Sequence, residues 1–497
     1  MEIEVHQQAI ATPTFDTIHA PLKYWGARIP QGIAIDDGSV RMSFEDLAQI
    51  VERHKCDPSG GLSAPRPVWI SEASSPGAQL VEFLSILASG SAAAIGDPGW
   101  SELQRQQVLR LLRTDPSHGL PNGVTLPLGS FYVGFTSGST GVPKGFVRSH
   151  QSWLDSFTAC LQAFGRAATH TVLAPGRLSH SLPLFGALLG LWSGGGVRLQ
   201  SQFSASASLQ NLMSGDARTL LATPSQLILM LEQSRRQGPR AIHETALVMI
   251  GGARWPRGRT PALQALFPRA RIVEFYGASE TSFVAWTDSH SDLPAAVVGR
   301  PFPSVELRIG NLEAVPEEHM ATAGGPGLIY VRSPMLFTGY VTPEPKVGPG
   351  ALLCQGDWLS VGDIGTIDAN GLLHLVGRQQ RMFVVQGKNL FPEEVEQVLA
   401  SHPSVAAVSV QSIPDPIRGH RAIAVLELLH PVDRSTLRDW CRLHLDAYKT
   451  PRTFFACERL PCTASAKADH TAIAQLLASN PEGALDWRPL PWLLNAS

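Results

Sequence analysis

The stretch Tyr132-Val133-Gly134-Phe135-Thr136-Ser137-Gly138-Ser139-Thr140-Gly141-Val142-Pro143-Lys144-Gly145 decides how this chain is interpreted. Its glycines and small hydroxylic residues expose backbone N–H groups, which can form a nest for an anion. The hydroxyl groups add hydrogen-bond donors, and Lys144 adds the positive charge that a polyphosphate requires. We therefore expect a phosphate-binding loop, with a flexible surface loop rich in Gly and Ser as the alternative.

Three common loop signatures do not fit this stretch. A Walker A loop requires Gly-Lys-Ser/Thr, whereas Pro143 precedes Lys144 and Gly145 follows it. The G-x-G-x-x-G dinucleotide fingerprint is absent, and Gly134 has no serine two positions later, as a hydrolase nucleophile elbow needs. The loop therefore indicates another class of phosphate-binding protein.

Composition limits the remaining possibilities. The chain has 497 residues and a formal net charge of −2, so it has no overall positive field that would recruit nucleic acid or anionic lipid. Charged residues make up 16%, and 45 Gly and 38 Pro indicate many tight turns. This length favours several domains with a large core and argues against a disordered chain.

The six cysteines lie scattered, without a C-x-x-C pair or zinc-finger histidines, and we expect them to be reduced thiols. The start of the chain carries acidic residues where a secretory signal needs basic ones. The apolar stretch 182–192 is shorter than the about 18 residues of a membrane span. We expect a cytoplasmic protein without a membrane span.

Short apolar runs alternate with helical patterns over the first 300 residues, which predicts parallel strands with crossover helices. We expect strands at 67–70, 220–222 and 246–250, and helices at 79–87 and 225–232.

Strand-like segments at 328–331 and 372–376, with the turn Asp368-Ala369-Asn370-Gly371, indicate a β-rich subdomain. A smaller α+β unit follows. Its expected strands are 382–385, 405–410 and 422–428, and its expected helices are 392–400 and 434–445. The predicted fold class is α/β, with a large domain at 1–379 and a small C-terminal domain at 380–497.

The chain resembles the acyl- and aryl-activating adenylate-forming enzymes, the superfamily that contains acyl-CoA synthetases, nonribosomal peptide adenylation domains and luciferases. The phosphate-loop stretch is similar to their phosphate-binding signature, and further motifs follow in the family's order. These are Glu274-Phe275-Tyr276-Gly277-Ala278-Ser279-Glu280-Thr281, Val361-Gly362-Asp363-Ile364-Gly365, Gly377-Arg378, the segment 387–396 and Leu460-Pro461-Cys462-Thr463-Ala464-Ser465-Ala466-Lys467-Ala468-Asp469-His470. The resemblance is strong from 128 to 470 and weaker from 22 to 110.

The resemblance implies an AMP-forming acid–thiol ligase that uses ATP, Mg²⁺ and coenzyme A, with a C-terminal domain that acts as a mobile lid. Lys467 would bridge the acyl carboxylate and the ribose and phosphate oxygens and neutralise the developing charge, and Glu280 would bind Mg²⁺. Tyr276 would lie against adenine, while Asp363 and Arg378 would bind the ribose. The remaining expected nucleotide-binding or catalytic residues are Thr136, Ser137, Gly138, Ser139, Thr140, Gly141, Lys144, Gly251, Gly252, Ala253, Glu274, Gly277 and Thr281.

The segment Ser179-His180-Ser181-Leu182-Pro183-Leu184-Phe185-Gly186 occupies the place where family members line the acid pocket. His180 would position the carboxylate or gate the thiol, with a hydrogen-bonded structural histidine as the alternative. The Phe-Asp pair with which amino-acid adenylation domains anchor an amine is absent from this segment. The resemblance therefore favours an acid without an α-amine.

Three residues depart from the family pattern. Ala466 stands where a glycine usually precedes the lysine, Gln380 stands at the hinge where Asp or Lys is usual, and Val384 occupies a position that is often basic. These departures bear on domain rotation and the thioester step more than on adenylation. Arg381 is a candidate to compensate for Gln380.

The expected function is activation of a carboxylic acid to an acyl-adenylate, followed by thioester formation with CoA. One alternative acceptor is the phosphopantetheine thiol of an acyl carrier protein. A second alternative is a degenerate nucleotide-binding protein with a regulatory role. No nucleic-acid partner is expected.

Overall fold

The computed structural model describes residues 15–55, 64–112, 124–136, 143–238, 240–294, 296–310, 325–341, 347–348, 352–415, 419–462 and 468–479. The first part of the chain alternates short strands with helices. Its elements are α1 (Pro21–Arg28), β1 (Ile33–Asp36), β2 (Arg41–Ser43), α2 (Phe44–Glu52), β3 (Pro67–Ile70), α3 (Pro76–Ala88), β4 (Ala92–Ile95) and α4 (Glu102–Leu112).

The middle of the chain continues the alternation. Its elements are β5 (Ser130–Thr136), β6 (Lys144–Ser149), α5 (His150–Phe164), β7 (Val172–Leu173), α6 (Ser181–Trp192), β8 (Val197–Arg198), α7 (Ala205–Met213), β9 (Thr219–Ala222), α8 (Pro224–Gln237), β10 (Leu247–Ile250), α9 (Thr260–Leu266) and β11 (Arg271–Ala278).

The next part of the chain, before the C-terminal unit, consists mainly of strands. They are β12 (Ser282–Asp288), β13 (Val297–Pro301), β14 (Glu306–Gly310), β15 (Gly327–Arg332), β16 (Gly339–Val341), β17 (Val347–Gly348), β18 (Leu353–Gln355), β19 (Trp358–Ser360), β20 (Asp363–Ile367) and β21 (Leu373–Arg378).

The last elements form a separate sheet with helices. They are β22 (Phe383–Val385), β23 (Lys388–Leu390), α10 (Pro392–Ala400), β24 (Val405–Asp415), β25 (Gly419–Leu428), α11 (Arg434–His444), β26 (Thr453–Cys457) and α12 (His470–Ser479).

A six-stranded sheet carries the phosphate-loop stretch, in the order β17-β16-β6-β5-β4-β3. Strands β3, β4 and β5 run parallel, as the alternation predicts. Strands β5 and β6 form an antiparallel hairpin whose last pair is Thr136 opposite Lys144. Two of the predicted phosphate ligands, Thr136 and Lys144, therefore lie opposite each other at the end of the hairpin that the connecting loop joins.

Within the described residues, a second sheet has 15 strands, and its main path is β18-β19-β15-β20-β21-β13-β12-β11-β10-β9-β7-β8-β1-β2. Neighbours are parallel from β8 to β11, and every pair from β11 to β21 is antiparallel. The expected β-rich subdomain thus continues the large sheet through the β13–β21 pair. The structure confirms the predicted α/β class.

Helices α5 and α6 lie against these sheets and share one hydrophobic core with them. Ser149 caps α5 by accepting a hydrogen bond from the N–H of Ser152, as a good N-cap residue does. Helix α6 is apolar on all sides, and its residues from Leu184 to Trp192 are all buried. Among the described residues, no helix combines the length and apolar character needed to cross a bilayer.

The C-terminal sheet has the order β23-β22-β25-β24, and β26 pairs with β25. Helices α10 and α11 cover it, and residues such as Val395, Leu437 and Phe454 form a core of its own. Two arginines of the large unit bind the C-terminal unit: Arg254 donates to Oε1 of Gln397 on α10, and Arg259 donates to the carbonyl oxygen of Val405 on β24 at 3.1 Å. The domain boundary between 379 and 380 stays a prediction.

Candidate functional site

The predicted ribose site is a buried carboxylate with two partners. Oδ2 of Asp363 accepts a 2.5 Å hydrogen bond from the hydroxyl of Tyr276, and its Oδ1 accepts a 3.0 Å bond from Nε of Arg378. Asp363 is 2% exposed, whereas the Arg378 side chain is 60% exposed. The sheet brings these residues together because β20 and β21 pair Asp363 directly opposite Arg378.

The Asp363 carboxylate influences the protonation of both of its partners. The Asp363 carboxylate raises the pKa of Arg378, which keeps the guanidinium charged. Burial, together with the neighbouring carboxylate, raises the pKa of Tyr276 well above its ordinary value. Each carboxylate oxygen has a second lone pair, so Asp363 can accept further hydrogen bonds without losing these partners.

Glu280 lies in the tight turn between β11 and β12. Its Oε1 accepts a 2.6 Å hydrogen bond from the hydroxyl of Tyr340, and its carbonyl oxygen accepts the N–H of Phe337 at 2.8 Å. Tyr340 pairs with Phe146 on β6, two residues from Lys144. The fold thus brings Glu280 beside the hairpin that carries Thr136 and Lys144.

The turn itself is tightly constrained. The hydroxyl of Thr281 accepts the N–H of Ala278 at 3.0 Å, and Thr281 is 2% exposed. A Cβ on Gly277 would lie 1.8 Å from the carbonyl oxygen of Ser282, so only glycine fits there. Ser282 has a φ of 56°, an unusual value for a residue other than glycine, and its hydroxyl pairs with that of Ser156 at 2.7 Å. The hydroxyl of Thr281 is thus engaged within the turn, and its contact with phosphate stays a prediction.

His180 stands immediately before α6 and belongs to a buried polar cluster. Oδ2 of Asp97 lies 3.3 Å from Nε2 of His180 and accepts a 2.8 Å hydrogen bond from the hydroxyl of Ser179. Oδ1 of Asp97 accepts Nη1 of Arg177 at 3.0 Å. The next residue, Ser181, shares a 3.0 Å hydrogen bond with Ser279, one residue before Glu280. The predicted acid pocket therefore adjoins the Glu280 turn.

The small residues after β10 occupy different environments. Gly251 is buried, and an added Cβ would lie 2.2 Å from the ring of Phe275. Gly252 and Ala253 are exposed, and Gly252 has a φ of 83°. The first glycine thus accommodates a core ring, while the next two residues leave an open surface near Tyr276.

Glu274 has a partner that the sequence does not suggest. Arg257 binds both of its oxygens, with Nε–Oε1 at 2.7 Å and Nη2–Oε2 at 3.0 Å, and also donates to the carbonyl oxygens of Pro294 and Val297. Both side chains are buried. This ion pair fastens β11 to the neighbouring loop, and the predicted nucleotide contact of Glu274 stays a prediction.

Arg381 does not face a hinge partner. It binds Glu393 and Glu396 on α10 at distances from 2.6 to 3.0 Å, and donates to the carbonyl oxygen of Val410 at 3.1 Å. These contacts engage the guanidinium inside the C-terminal unit, and the idea that Arg381 compensates for Gln380 stays a prediction. Gln380 and Val384 are both exposed.

Several predicted residues lie outside the described ranges. These are Ser137, Gly138, Ser139, Thr140, Gly141, Ala466 and Lys467. Their neighbours are described: Thr136 and Lys144 end the β5–β6 hairpin, and Cys462 and Ala468 form an isolated antiparallel bridge.

Sequence analysis missed three residues around Glu280 and His180. Arg148 and Tyr340 hold the Glu280 turn, and Asp97 holds His180. Asp97 lies in the region of weaker resemblance, 22–110, and Arg148 lies in the region of strong resemblance, 128–470, but neither belongs to one of the quoted motifs. No sequence signal marks Tyr340.

Comparison with known proteins agrees with this geometry. The AMP-binding enzyme family matches residues 102–341, and the AMP-binding enzyme C-terminal domain matches residues 394–467. The chain is 35% identical over 351 residues to an uncharacterized acyl–CoA ligase, YhfT, of Bacillus subtilis, covering 70% of this chain and 68% of that protein. It is 30% identical over 341 residues to 2-succinylbenzoate–CoA ligase of the same organism, covering 67% and 66%.

The fold is also found among solved structures. Amide bond synthetase McbA from Marinactinospora thermotolerans superposes with a TM-score of 0.77 at 22% identity, covering 93% of this chain and 99% of that chain. The identity is low enough that this likeness shows the fold alone. Together, the matched family and the 35% identical relative show that this chain belongs to the AMP-binding enzymes.

Proposed function

We propose that this protein is an AMP-forming acid–CoA ligase. In the first step, a carboxylate oxygen of the acid attacks the α-phosphorus of ATP, and the bond to the β-phosphate oxygen breaks to release pyrophosphate. In the second step, the sulfur of CoA attacks the acyl carbon, AMP leaves, and the thiol proton is released. Two relatives that bear the name of CoA ligases support this assignment.

The observation that carries the proposal is the Tyr276–Asp363–Arg378 group. A buried carboxylate at a sheet end, with spare lone pairs and an exposed arginine beside it, suits the two hydroxyls of a ribose. Tyr276 offers a flat ring for the adenine. We assign nucleotide binding to these three residues.

Glu280 fits a magnesium ion. The described residues contain no group of three or more His, Cys, Asp or Glu that could hold a metal by themselves. Mg²⁺ is commonly bound through one or two carboxylates plus substrate phosphates, so the single carboxylate of Glu280 beside the phosphate-loop hairpin is a suitable donor. When bound, the ion would neutralise phosphate charge.

The chain's own residues supply the rest of the adenylation chemistry. Both reactants are anions, so positive charge must lie between them. Lys144, which is exposed at the hairpin end, is assigned to the phosphates. Lys467 is assigned by its motif to the acyl carboxylate and the α-phosphate.

We assign the acid to the surface around His180, Ser181 and Ser279. All three are partly exposed, and the hydroxyls of Ser181 and Ser279 meet at 3.0 Å. The 179–186 segment contains no aspartate to bind an amine, and Asp97, which lies 3.3 Å from His180, is buried and already bound by Arg177 and Ser179. An acid without an α-amine is therefore the proposed substrate class.

Pyrophosphate release tests the proposal. Purified protein with Mg²⁺-ATP would be assayed against fatty, short-chain and aromatic acids, each with and without CoA. The ligase assignment requires one acid class to give acyl-CoA and AMP. Pyrophosphate release without acyl-CoA would point to a carrier-protein acceptor, and no release with any acid would favour a nucleotide-binding regulatory protein.

Lys467→Ala separates catalysis from binding. The variant should lose most adenylate formation while its ATP affinity stays within a few-fold, because the ribose keeps its assigned partners Asp363 and Arg378 when the lysine is removed. An equal loss of ATP binding would contradict this role.

A further inference from the structure

Arg148 is the largest side chain that is fully buried in the described residues, with 1% exposure. Burial lowers its pKa to about 9. Its Nε meets no hydrogen-bond partner among the described residues. Apolar residues of similar volume often stabilise a core as well as or better than a buried charge, so stability alone does not account for an arginine here.

The guanidinium of Arg148 joins two distant backbone segments. Nη2 donates to the carbonyl oxygen of Met335 at 2.7 Å, and Nη1 donates to that of Ser279 at 3.2 Å and to that of Glu280 at 3.5 Å. The first segment leads into β16, and the second is the turn between β11 and β12. Arg148, on β6, thus connects the two large sheets.

Both segments converge on the Glu280 carboxylate. The N–H of Phe337 donates to the carbonyl oxygen of Glu280 at 2.8 Å. The N–H of the next residue, Thr338, donates to the carbonyl oxygen of Val147 at 2.9 Å. Tyr340 then follows on β16 and donates its hydroxyl to Oε1 of Glu280 at 2.6 Å. The backbone of Glu280 and one of its carboxylate oxygens are therefore fixed from the same side.

We propose that Arg148 and Tyr340 are positioning residues that set the Glu280 carboxylate for the metal–nucleotide complex. Arg148 fixes the turn that carries Glu280, and Tyr340 orients the carboxylate and leaves Oε2 for the ion. This inference rests on the proposed function only in its choice of Mg²⁺-ATP as the ligand. Partners of this kind, which orient a metal ligand, commonly change metal affinity when they are substituted.

Tyr340→Phe is the sharpest test, because it removes one hydroxyl and keeps the ring. ATP binding would be measured by calorimetry over a range of Mg²⁺ concentrations, with Mn²⁺ binding followed by electron paramagnetic resonance. The Mg²⁺ concentration for half-maximal ATP binding should rise about tenfold. Tyr330→Phe is the matched control, since the Tyr330 hydroxyl accepts a 3.3 Å hydrogen bond from Gln355, which lies on the edge strand β18 of the large sheet.

Arg148→Lys and Arg148→Met test the second residue. Lysine lacks the planar fork with which arginine binds both segments, and methionine has no donor at all. In both variants, the Mg²⁺ concentration for half-maximal ATP binding should therefore rise, whereas Arg271→Lys should leave it unchanged. Thermal unfolding of each variant identifies those that fail to fold, and Tyr340→Phe then carries the test alone. An unchanged Mg²⁺ dependence in folded Tyr340→Phe would overturn the inference.

Glu280→Gln separates this inference from the proposed function. If Glu280→Gln binds Mg²⁺-ATP as the wild type does, there is no metal contact for the two residues to set, and the inference is wrong. If the Mg²⁺ dependence behaves as expected but no acid releases pyrophosphate, the inference stands and the proposed ligase activity fails.

Discussion

The hydroxyl of Tyr276 donates a 2.5 Å hydrogen bond to Oδ2 of Asp363, the same carboxylate whose Oδ1 accepts Nε of Arg378. These contacts link β11 to the β20–β21 pair across the large sheet. The aromatic ring and the two polar groups assigned to the nucleotide are thus held in one arrangement by contacts with one another.

Asp363→Asn should weaken ATP binding by more than about tenfold. The neutral amide forms no ion pair with Arg378, and its oxygen accepts weaker hydrogen bonds than a carboxylate does. Tyr276→Phe keeps the ring and should change ATP affinity less than about fivefold. Equilibrium titration of ATP measures both. Equal losses in the two variants would contradict separate roles for ring and carboxylate.

Asp97→Ala should destabilise the protein and impair its use of the acid. The buried carboxylate binds Arg177, Ser179 and the N–H of Gly99, so its loss leaves several donors without an acceptor. We expect the free energy of unfolding to fall by about 3 kcal/mol in urea titrations.

A kinetic readout completes this test. The KM for the acid should rise in Asp97→Asn, while the KM for ATP stays close to that of the wild type, because Asp97 lies beside His180 and not beside Asp363. Alanine at exposed Asp292 is the control. A rise in both KM values would show a general loss of structure.

Local signals predict much of the fold. The expected helix 392–400 agrees with α10 residue for residue, because Pro392 at its start and two glutamates in the first turn mark where it begins. The expected strand 67–70 equals β3. The predicted turn at 368–371 joins β20 to β21, with Gly371 at a φ of 75°.

Elements that depend on distant partners are longer than their apolar patterns. Strand β24 continues beyond the expected end at Val410 to Asp415, since these residues pair with β25 down to Gly419. In the site, too, contacts between distant residues are not predicted by local patterns. Motifs identify Tyr276, Glu280 and Asp363, but Arg148 and its partner Met335 are 187 residues apart, and no local pattern connects them.

Gly251→Ala should destabilise the core beside the site. An added Cβ would lie 2.2 Å from the ring of Phe275, which is itself held edge-to-face by Phe283 at 4.9 Å. Overpacking of this kind costs about 1–3 kcal/mol, measured as a loss in the free energy of unfolding. Exposed Gly258, with open space around it, is the matched position, and its alanine variant should stay within about 0.5 kcal/mol of the wild type.

A double variant checks the cause of this loss. If the clash with Phe275 is responsible, Gly251→Ala combined with Phe275→Leu should lose less than the sum of the two single variants. Additive losses would show that Gly251 is needed for another reason.

Two half-buried histidines, His19 and His150, should make the free energy of unfolding fall in mild acid. Burial lowers the pKa of His150 to about 3 and that of His19 to about 4, with nearby Lys55 lowering the latter further. His150 stacks on Phe131 and accepts the N–H of Ile18 through Nδ1, a bond that requires the neutral ring.

The unfolded chain takes up these protons near pH 6.5, whereas the folded chain does so only at lower pH. The stabilisation is therefore complete above pH 6.5 and is lost as the pH falls toward 4. Each histidine should contribute a slope approaching 1.4 kcal/mol per pH unit below pH 6. Urea unfolding between pH 4.5 and 7.5 measures it.

His150→Asn identifies the group responsible, because the amide oxygen can still accept the N–H of Ile18 but does not titrate. The slope of its unfolding free energy against pH should be lower than that of the wild type by the contribution of one proton, about 1.4 kcal/mol per pH unit. Asparagine at exposed His243 controls for the loss of a histidine as such. If the slope is unchanged in His150→Asn, other groups cause the acid sensitivity. His150 contributes to the slope only at pH values at which its ring is protonated in the unfolded chain and still neutral in the folded chain.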